Sequence, residues 1–342
     1  MTRFLRIALV LVMSLSFASP VHAVKVGDSC STVGLVNGNL VCLAKGKKKE
    51  WQMLDSIQSV QKVIELSLKN TKIPKTLKPA LKDVRSDKSF WLDQECSVDF
   101  PDVKVPDCFA GDLAGKKTMV VYGDSHASMW MTALDAIAKK NGYKILLYAK
   151  LACPLVETTI WSYQLNRPFT ECTSWQQLVL PKIQAIKPDV LVVTDQWKPA
   201  VVDGAKSDVD TVNMWESEFP KALKKLSTYT KKLIVISNNP SMQQDSVACA
   251  SKPRANLALC GAGRSQAGNV KINEIEESAT NSLGATFIDS VDLACSDYLC
   301  PVVIGERFVY FDQVNQYVPF VMVCGKYVTI ACSLWEIRDP IW

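Results

Sequence analysis

Residues 118–130 read TMVVYGDSHASMW, and the interpretation of the whole chain depends on them. The first five form a short apolar, β-rich run bounded by turn residues, which predicts a buried strand. Gly123, Asp124 and Ser125 then predict a sharp turn, and a helical pattern of apolar residues follows from Ala127 and ends near Asn141. A serine on such a turn lies near a helix N-terminus, where free backbone N–H groups favour a developing anion.

Two interpretations of Ser125 follow from this setting. Its hydroxyl is either a nucleophile beside part of an oxyanion hole or a simple cap for a helix that begins at Ala127. The tripeptide alone favours the cap, because Gly-Asp-Ser is common in turns. The strand before it and the helix after it favour the nucleophile.

From residue 117 onward, strand-like and helix-like segments alternate. We predict strands at 118–122, 144–149, 190–194, 233–237 and 286–289, and helices near 128–141, 173–186, 212–228 and 267–283. This alternation predicts a three-layer α/β/α fold with a parallel sheet covered by helices on both faces. Reactive groups gather at the carboxyl ends of such strands, and Ser125 and the segments 150–154, 194–197 and 237–240 follow predicted strands.

The N-terminus resembles a secretory leader. Arg3 and Arg6 precede an apolar run at 7–17, and a plausible cleavage site follows Ala23. The run is shorter than the roughly 18 residues that span a bilayer. Without these two arginines the net charge of +5 falls to +3, which is too weak to indicate a nucleic-acid partner. We therefore expect a secreted or cell-wall-associated protein.

The twelve cysteines fit an oxidising destination. Ten of them fall into five neighbouring pairs: Cys30/Cys42, Cys96/Cys108, Cys153/Cys172, Cys249/Cys260 and Cys295/Cys300. Sequence does not fix disulfide connectivity, and nearest-neighbour pairing is the simplest arrangement. The chain has no CxxC motif, and His126 is the one histidine after the leader. We therefore predict no metal and no cofactor.

Five regions are predicted. They are a signal peptide (1–23), a small β-hairpin module stapled by Cys30 and Cys42 (24–52), a helix over 54–68 with a stapled connector (53–116), the α/β domain (117–311) and an atypical tail (312–342). The hairpin module resembles one found in exported actinobacterial proteins. Its Lys45 and Lys47 to Lys49 either attach to an anionic wall polymer or form a solvated basic turn.

Several stretches together resemble the SGNH hydrolase superfamily, and more closely the extracytoplasmic SGNH domain usually fused to a membrane acyltransferase-3 domain. They are IPKTLKP at 73–79, the cysteine-bounded segment 96–108, GDSHA at 123–127, ACP at 152–154, 167–172, KPD at 187–189 and 287–310. The resemblance implies a flavodoxin-like α/β fold. It also implies transfer or removal of O-acyl groups, commonly acetyl, on cell-wall or surface polysaccharide, with an acyl donor that a membrane acyltransferase supplies.

The resemblance assigns roles to individual residues. Ser125 matches the nucleophile, and Asp312 matches the aspartate of a C-terminal Asp-x-x-His. The stretches Ala152-Cys153 and Thr194-Asp195-Gln196 stand where the superfamily's glycine and asparagine would be, and neither expected residue is present. Gln196 either donates an N–H to the oxyanion or is a solvated loop residue. Asp124 is a further candidate for supporting Ser125.

The expected histidine is absent, because Asn315 stands where the Asp-x-x-His pattern requires it. An amide cannot take the serine proton at neutral pH. His126 is adjacent to Ser125 on the predicted elbow, so we expect its ring to point away from the serine hydroxyl. It serves either as a replacement base or as a hydrogen-bonding support, and the adjacency favours support.

The tail after Phe311 contains the unpaired Cys324 and Cys332 and lacks the helix that the family places after its histidine. Back-translation of 314–322, read one base later, can encode Leu-Thr-Ser-Thr-Tyr-Arg-Ser-Leu, which resembles the family's segment there. We hypothesise that a small deletion removed the histidine codon and left the tail out of frame. The chain is then a damaged O-acyltransferase or acetylesterase; the alternative is a non-catalytic glycan-binding protein.

Overall fold

The computed structural model of the protein describes residues 24–37, 40–54, 56–87, 90–92, 95–196, 200–202, 205–207 and 211–310. The predicted leader and the tail with Asp312, Asn315, Cys324 and Cys332 lie outside these residues. Within the described part of the chain, none of the helices has the length and apolar character needed to cross a membrane.

The described secondary structure consists of seven α-helices, eighteen strands and four 3₁₀ helices, which are Leu81–Ser86, Phe90–Leu92, Leu257–Leu259 and Val291–Leu293. The helices are α1 (Ile57–Ser67), α2 (Ser125–Asn141), α3 (Thr170–Ile186), α4 (Thr211–Ser227), α5 (Ser246–Ala250), α6 (Arg264–Ala267) and α7 (Val270–Ser282). The first nine strands are β1 (Val36–Asn37), β2 (Leu40–Lys45), β3 (Lys48–Met53), β4 (Ser97–Val98), β5 (Cys108–Gly111), β6 (Lys117–Gly123), β7 (Tyr143–Lys150), β8 (Trp161–Ser162) and β9 (Arg167–Pro168). The others are β10 (Val190–Thr194), β11 (Ala200–Val202), β12 (Ala205–Ser207), β13 (Lys232–Ile236), β14 (Ala262–Gly263), β15 (Thr286–Ile288), β16 (Leu299–Cys300), β17 (Val303–Ile304) and β18 (Arg307–Phe308).

The central sheet has the strand order β15-β13-β10-β6-β7-β4, and β5 also pairs with β7. Its strands are parallel except β5, which runs antiparallel to β7. The predicted parallel α/β fold is confirmed. The segment 96–108, which lies in the predicted stapled connector, contributes β4 and begins β5 at the sheet edge. These strands are too short to show a period-2 pattern.

The two faces of the sheet carry separate cores. In β6, Met119 and Val121 pack with α1 and α2, whereas Val120 and Tyr122 pack with α3, α4 and α7. This division follows from the alternation of side chains along a strand. Burial on both faces explains why the central strands read as continuous apolar runs.

All five predicted cysteine pairings are present as disulfides, which confirms the nearest-neighbour pattern. They are Cys30–Cys42, Cys96–Cys108, Cys153–Cys172, Cys249–Cys260 and Cys295–Cys300. Each closes a short loop, and together they limit the conformations open to the unfolded chain.

The N-terminal module is a three-stranded antiparallel sheet in the order β1-β2-β3. Two lysines of its basic turn have partners: Lys45 Nζ lies 2.9 Å from Glu50 Oε1, and Lys49 Nζ donates to the Ser31 carbonyl at 2.9 Å. Lys47 and Lys48, in and beside the β2–β3 turn, are exposed. The two interpretations of this turn both remain predictions.

Helix α1 joins the module to the far end of the described chain. It begins at Ile57 rather than near Leu54, because the Ser56 and Ser59 side chains form a capping box. At its other end, Ser67 Oγ accepts a hydrogen bond from the Gly305 N–H at 2.8 Å. The predicted connector follows, and the Lys78 N–H donates to the Glu306 carbonyl at 2.8 Å, so the connector lies on the α/β domain.

The helix predicted at 267–283 is wrong at its start. The chain forms the short helix α6, turns at Gly268, and begins α7 at Val270. The break occurs at Asn269, which has φ +43° and therefore cannot continue a right-handed helix. The predicted start, Ala267, is the last residue of α6, so apolar periodicity placed the start of the long helix three residues too early.

Candidate active site

The elbow between β6 and α2 depends on a close approach of two strands. A Cβ atom on Gly123 would lie 1.8 Å from the carbonyl oxygen of Thr194, at the end of neighbouring β10. A side chain at this position would force the two strands apart, so only glycine permits the turn. The chain therefore enters α2 directly from the carboxyl end of the central strand.

Helix α2 begins at Ser125, two residues earlier than predicted, and Asp124 is its N-cap. The Asp124 Oδ1 atom accepts the His126 backbone N–H at 2.8 Å. The interpretation of Ser125 as the cap is therefore wrong, because the aspartate already fills that role. Ser125 is the first helical residue, and its N–H has no acceptor within the helix.

Ser125 is the one residue of its segment that is not buried. Every residue from Met119 to Met131 is buried except Ser125, which is half-buried. The flanking Asp124 and His126 are 0 % and 2 % exposed. Ser125 is therefore the residue of this segment that is open to solvent.

Asp124 connects the other two predicted supporting residues. Its Oδ1 lies 3.0 Å from His126 Nδ1, and its Oδ2 accepts the Gln196 backbone N–H at 3.2 Å. The structure thus brings Asp124, Ser125, His126 and Gln196 together. The imidazole therefore bonds through Nδ1 to the Asp124 carboxylate. This contact favours a supporting role for His126 over that of a replacement base. Asp312 and Asn315 lie outside the described residues, and their roles stay predictions.

The turn after β7 carries the position expected for the superfamily's glycine. Ala152 adopts φ +55° there, a left-handed conformation that favours glycine. The Cys153 N–H donates to the Lys150 carbonyl at 3.1 Å, so it already has an acceptor within the turn. The Ala152 N–H is therefore the better candidate for a second oxyanion donor.

Replacing Ala152 with glycine is expected to stabilise the protein by about 0.5 to 1 kcal/mol, because it removes the left-handed strain at a modest entropic cost. Urea unfolding of the two proteins measures the difference. The matched control is Ala136→Gly in the middle of α2, which we expect to destabilise by about 1 kcal/mol. A loss of stability in Ala152→Gly would contradict the strain at this turn.

The carboxyl end of β10 holds Asp195, to which the sequence assigned no role of its own within the stretch 194–196. Asp195 is 2 % exposed, and its Oδ2 accepts the Leu155 N–H at 2.6 Å. It therefore fastens the loop after β7, which carries Ala152, to the strand beside Ser125. Its place directly after a predicted strand was the available signal, because polar groups at strand ends are candidates for the site.

A comparison with protein families shows which family the chain belongs to. Residues 95–315 match the family described as the SGNH domain fused to AT3 domains. The chain belongs to this family. No curated protein matches the chain.

Solved structures with a similar chain path include three acyl-group enzymes. A lipopolysaccharide acetyltransferase periplasmic domain from Salmonella ser. Paratyphi A is 14% identical over 67% of this chain and 86% of its own, with a TM-score of 0.47. A carbohydrate esterase family 2 enzyme with its carbohydrate-binding domain, from Corynascus thermopiles (Myceliophthora fergusii), is 14% identical over 66% and 67%, with a TM-score of 0.40. An acetyl-xylooligosaccharide esterase from Geobacillus is 12% identical over 67% and 97%, with a TM-score of 0.35.

In this SGNH domain a buried carboxyl lies behind the strand ends. Glu276 of α7 is 1 % exposed, and its Oε1 accepts hydrogen bonds from Trp215 Nε1 at 3.1 Å and Asn238 Nδ2 at 2.8 Å. Burial raises the pKa of the Glu276 carboxyl well above its usual range, and the charge of Asp195 raises it further. The sequence signal was a glutamate within the apolar stripe of α7, four residues after Ile272.

We expect Glu276→Gln to become more stable relative to the unchanged protein as pH rises from 5 to 8, by at least about 1 kcal/mol. A carboxyl whose pKa is raised by folding contributes stability below its unfolded pKa, and loses that contribution as pH rises through the folded pKa. Glutamine keeps the acceptor for Trp215 and Asn238 and does not ionise. Urea unfolding at both pH values measures this, with exposed Glu277→Gln as control; parallel pH profiles would contradict it.

Lys150, at the end of β7, holds the stapled segment against the SGNH domain. Its fully buried ammonium donates to the carbonyls of Asp99 at 2.7 Å, Phe100 at 3.0 Å and Asp102 at 2.6 Å. Burial lowers the pKa of Lys150 to about 8. The charges of Glu171, Asp102 and Asp99 oppose this shift in the pKa, because they favour the ammonium form.

Proposed function

We propose that this chain derives from an exported O-acyltransferase or acetylesterase that acts on cell-wall or surface glycan. The observation that carries the proposal is Ser125, the one residue of the elbow that is not buried, at the N-terminus of α2. A serine there has the helix dipole and free N–H groups beside the position where an oxyanion forms. Membership of the SGNH family supports the same chemistry.

In the ancestral reaction, the Ser125 oxygen attacks the acyl carbon and the carbonyl oxygen becomes the oxyanion. The N–H groups of Ser125 and Ala152 would donate to it. The leaving oxygen departs with a proton, and an acyl-serine forms. A glycan hydroxyl then attacks in a transferase, or water in an esterase. Both steps require a base that takes and returns the proton, and Asp312 would orient that base.

The proposal includes loss of the base in this chain. Asn315 cannot accept the proton, and the family match ends at residue 315, which agrees with a tail that departs from the family. We propose that a small deletion removed the histidine codon and left the tail out of frame. Sequencing the genomic DNA tests it. A restored reading frame that encodes Asp-x-x-His and a following helix supports the damaged enzyme.

The second candidate function is a non-catalytic glycan-binding protein that keeps the fold. Asn315 itself motivates it, because a selected loss of the base leaves an asparagine in an intact reading frame. A clean asparagine codon with an open frame in several independent isolates would support this function over the damaged enzyme.

Export and partners are part of the proposal. The leader at 1–23 would direct secretion, and a membrane acyltransferase would supply the acyl donor. Exposed Lys47 and Lys48 of the N-terminal module are the available contacts for an anionic wall polymer. Fractionation of cells that express the tagged full chain tests the location; retention in the cytoplasm would contradict it.

We expect Ser125 to react slowly with a fluorophosphonate probe in the chain as written, at least about a hundredfold below an active serine hydrolase. A serine hydroxyl without a base stays neutral and weakly nucleophilic. Labelling detected by mass spectrometry measures the rate, and Ser125→Ala sets the background. Fast labelling would show that another group acts as base, and His126→Gln then tests the only imidazole after the leader.

A further inference from the structure

The loop after β7, residues 151–156, lies at the same edge of the sheet as Ser125. Strands β6 and β7 are paired in parallel, with Gly123 opposite Ala149. Ser125 follows Gly123 by two residues, and Ala152 follows Ala149 by three. Neighbouring strands are about 4.8 Å apart. The two candidate oxyanion donors, the N–H groups of Ser125 and Ala152, are therefore carried by adjacent strand ends.

Gln176 of α3 holds this loop by its backbone. The residue is 2 % exposed, and its Nε2 donates to the carbonyls of Pro154 at 2.8 Å and Val156 at 2.9 Å. The N–H of Leu155, between these carbonyls, donates to Asp195 Oδ2 at 2.6 Å. Three consecutive residues of the loop are thus fixed through their backbone groups by two buried side chains from outside the loop.

A second attachment to the loop comes from the same face of α3. Cys172 precedes Gln176 by four positions, which places the two side chains on neighbouring turns of one face. Cys172 forms a disulfide with Cys153, the residue that follows Ala152. The first half of α3 therefore holds the loop covalently beside Ala152 and by hydrogen bonds farther along.

Helix α3 is also fixed to the strand that leads to the candidate nucleophile. Trp175, the neighbour of Gln176, stacks on Tyr122 of β6, with ring centroids 5.8 Å apart and an interplanar angle of 20°. Both aromatic residues are buried, and Tyr122 precedes Ser125 by three residues. The position of Ala152 relative to Ser125 is therefore set through α3 as well as through the pairing of β6 with β7.

We propose that Gln176 is a positioning residue that holds the Ala152 N–H in the oxyanion site beside Ser125. Ala152 has φ +55°, a conformation that an alanine keeps only where the surrounding structure enforces it. Without the two hydrogen bonds from Gln176, the loop relaxes and the N–H turns away from the position of the oxyanion. The inference rests on the proposed function for the reaction at Ser125.

The rate at which a fluorophosphonate probe labels Ser125 in the full chain tests the proposal. The phosphonyl oxygen of the probe takes the place of the oxyanion, and an oxyanion site supplies much of the catalysis that survives loss of a base. Mass spectrometry follows the labelling, with exposed Ser217 as the internal reference. We expect Ser125 to react at least about tenfold faster than Ser217, and Gln176→Met to lower the Ser125 rate by roughly 10-fold or more.

The matched control is Gln61→Met in α1. The Gln61 amide also donates to two backbone carbonyls, those of Asp292 and Cys295, so its loss removes the same kind of contact. These carbonyls do not belong to the loop after β7. We expect Gln61→Met to lower the stability to urea as Gln176→Met does, and to leave the labelling rate of Ser125 unchanged.

The Ala152 amide supplies a spectroscopic readout that a change in stability alone would not move. In the labelled parent protein, the phosphonyl oxygen should shift the amide proton resonance of Ala152 downfield, and Gln176→Met should lose this shift. Circular dichroism checks that each variant is folded. Gln176→Asn, which keeps an amide on a side chain shorter by one methylene, is the milder second variant and should change both readouts in the same direction.

Equal labelling rates in Gln176→Met and the parent protein would overturn the inference. An equal fall in Gln61→Met would also overturn it, because the rate would then follow stability alone. The proposed function fails separately. Labelling of Ser125 no faster than that of Ser217 in the parent protein would mean that no oxyanion site exists, and both proposals would fall together.

Discussion

Replacing everything after Phe311 with a frame-corrected segment that also restores the deleted histidine codon is expected to raise acetyl-ester hydrolysis about a thousandfold or more. The corrected segment would return a histidine in the Asp-x-x-His pattern that begins at Asp312, and a helix that holds the imidazole. The turn between β6 and α2 needs no substitution, because it already places Ser125 at the start of α2. Hydrolysis of p-nitrophenyl acetate by the two purified proteins measures the gain.

Two variants show whether the gain comes from the proposed chemistry. Asn315→His in the existing tail should recover little activity. Displacing the base by even 1 Å from its productive position strongly lowers the rate. Ser125→Ala in the corrected chain should abolish the gain. A corrected chain that folds, cleaves no acetyl ester and transfers no acetyl group to wall glycan would refute the enzyme and favour the binding protein.

Lys150→Met is expected to destabilise the protein by about 3 to 5 kcal/mol. The substitution removes the donor of three hydrogen bonds to the carbonyls of Asp99, Phe100 and Asp102. Methionine fills a similar volume but leaves these oxygens without the ammonium. Urea unfolding at pH 7 with the disulfides intact measures the change in the free energy of unfolding.

The control for this prediction lies on the same strand. Lys144→Met removes an ammonium that lies 5.9 Å from the Phe109 ring centroid, and we expect a cost below about 1 kcal/mol. A loss of less than about 1 kcal/mol in Lys150→Met would mean that desolvation of the buried charge cancels its hydrogen bonds.

The sheet and the elbow were predictable because they depend on local patterns. The five predicted strands lie within one residue of the observed ends, since each is a buried apolar run bounded by turn residues. The start of α2 was missed by two residues. Apolar periodicity begins at Ala127, whereas the helix is set by the Asp124 side chain, whose capping role needs the turn geometry.

The remaining parts of the site depend on contacts between distant residues. Asp195 bonds to Leu155 across 40 positions, and Glu276 meets Trp215 across 61. No local pattern reports such pairs. The left-handed backbone of Ala152 was hidden for another reason. Alanine gives no sign of positive φ, and only the resemblance marked its position as one for glycine.

The hydrogen bond between the Gly305 N–H and Ser67 Oγ constrains when the chain can complete its fold. These residues are 238 positions apart, and Gln61 reaches the Cys295 carbonyl across 234. Helix α1 is among the first elements synthesised, yet its packing surface is made almost last. Until residues 291–305 emerge, α1 lacks its contacts with Val291–Leu293 and β17, so part of its apolar face is exposed to aggregation or to chaperones. Any premature stop before residue 305 therefore damages the N-terminal part of the fold as well as the C-terminal part.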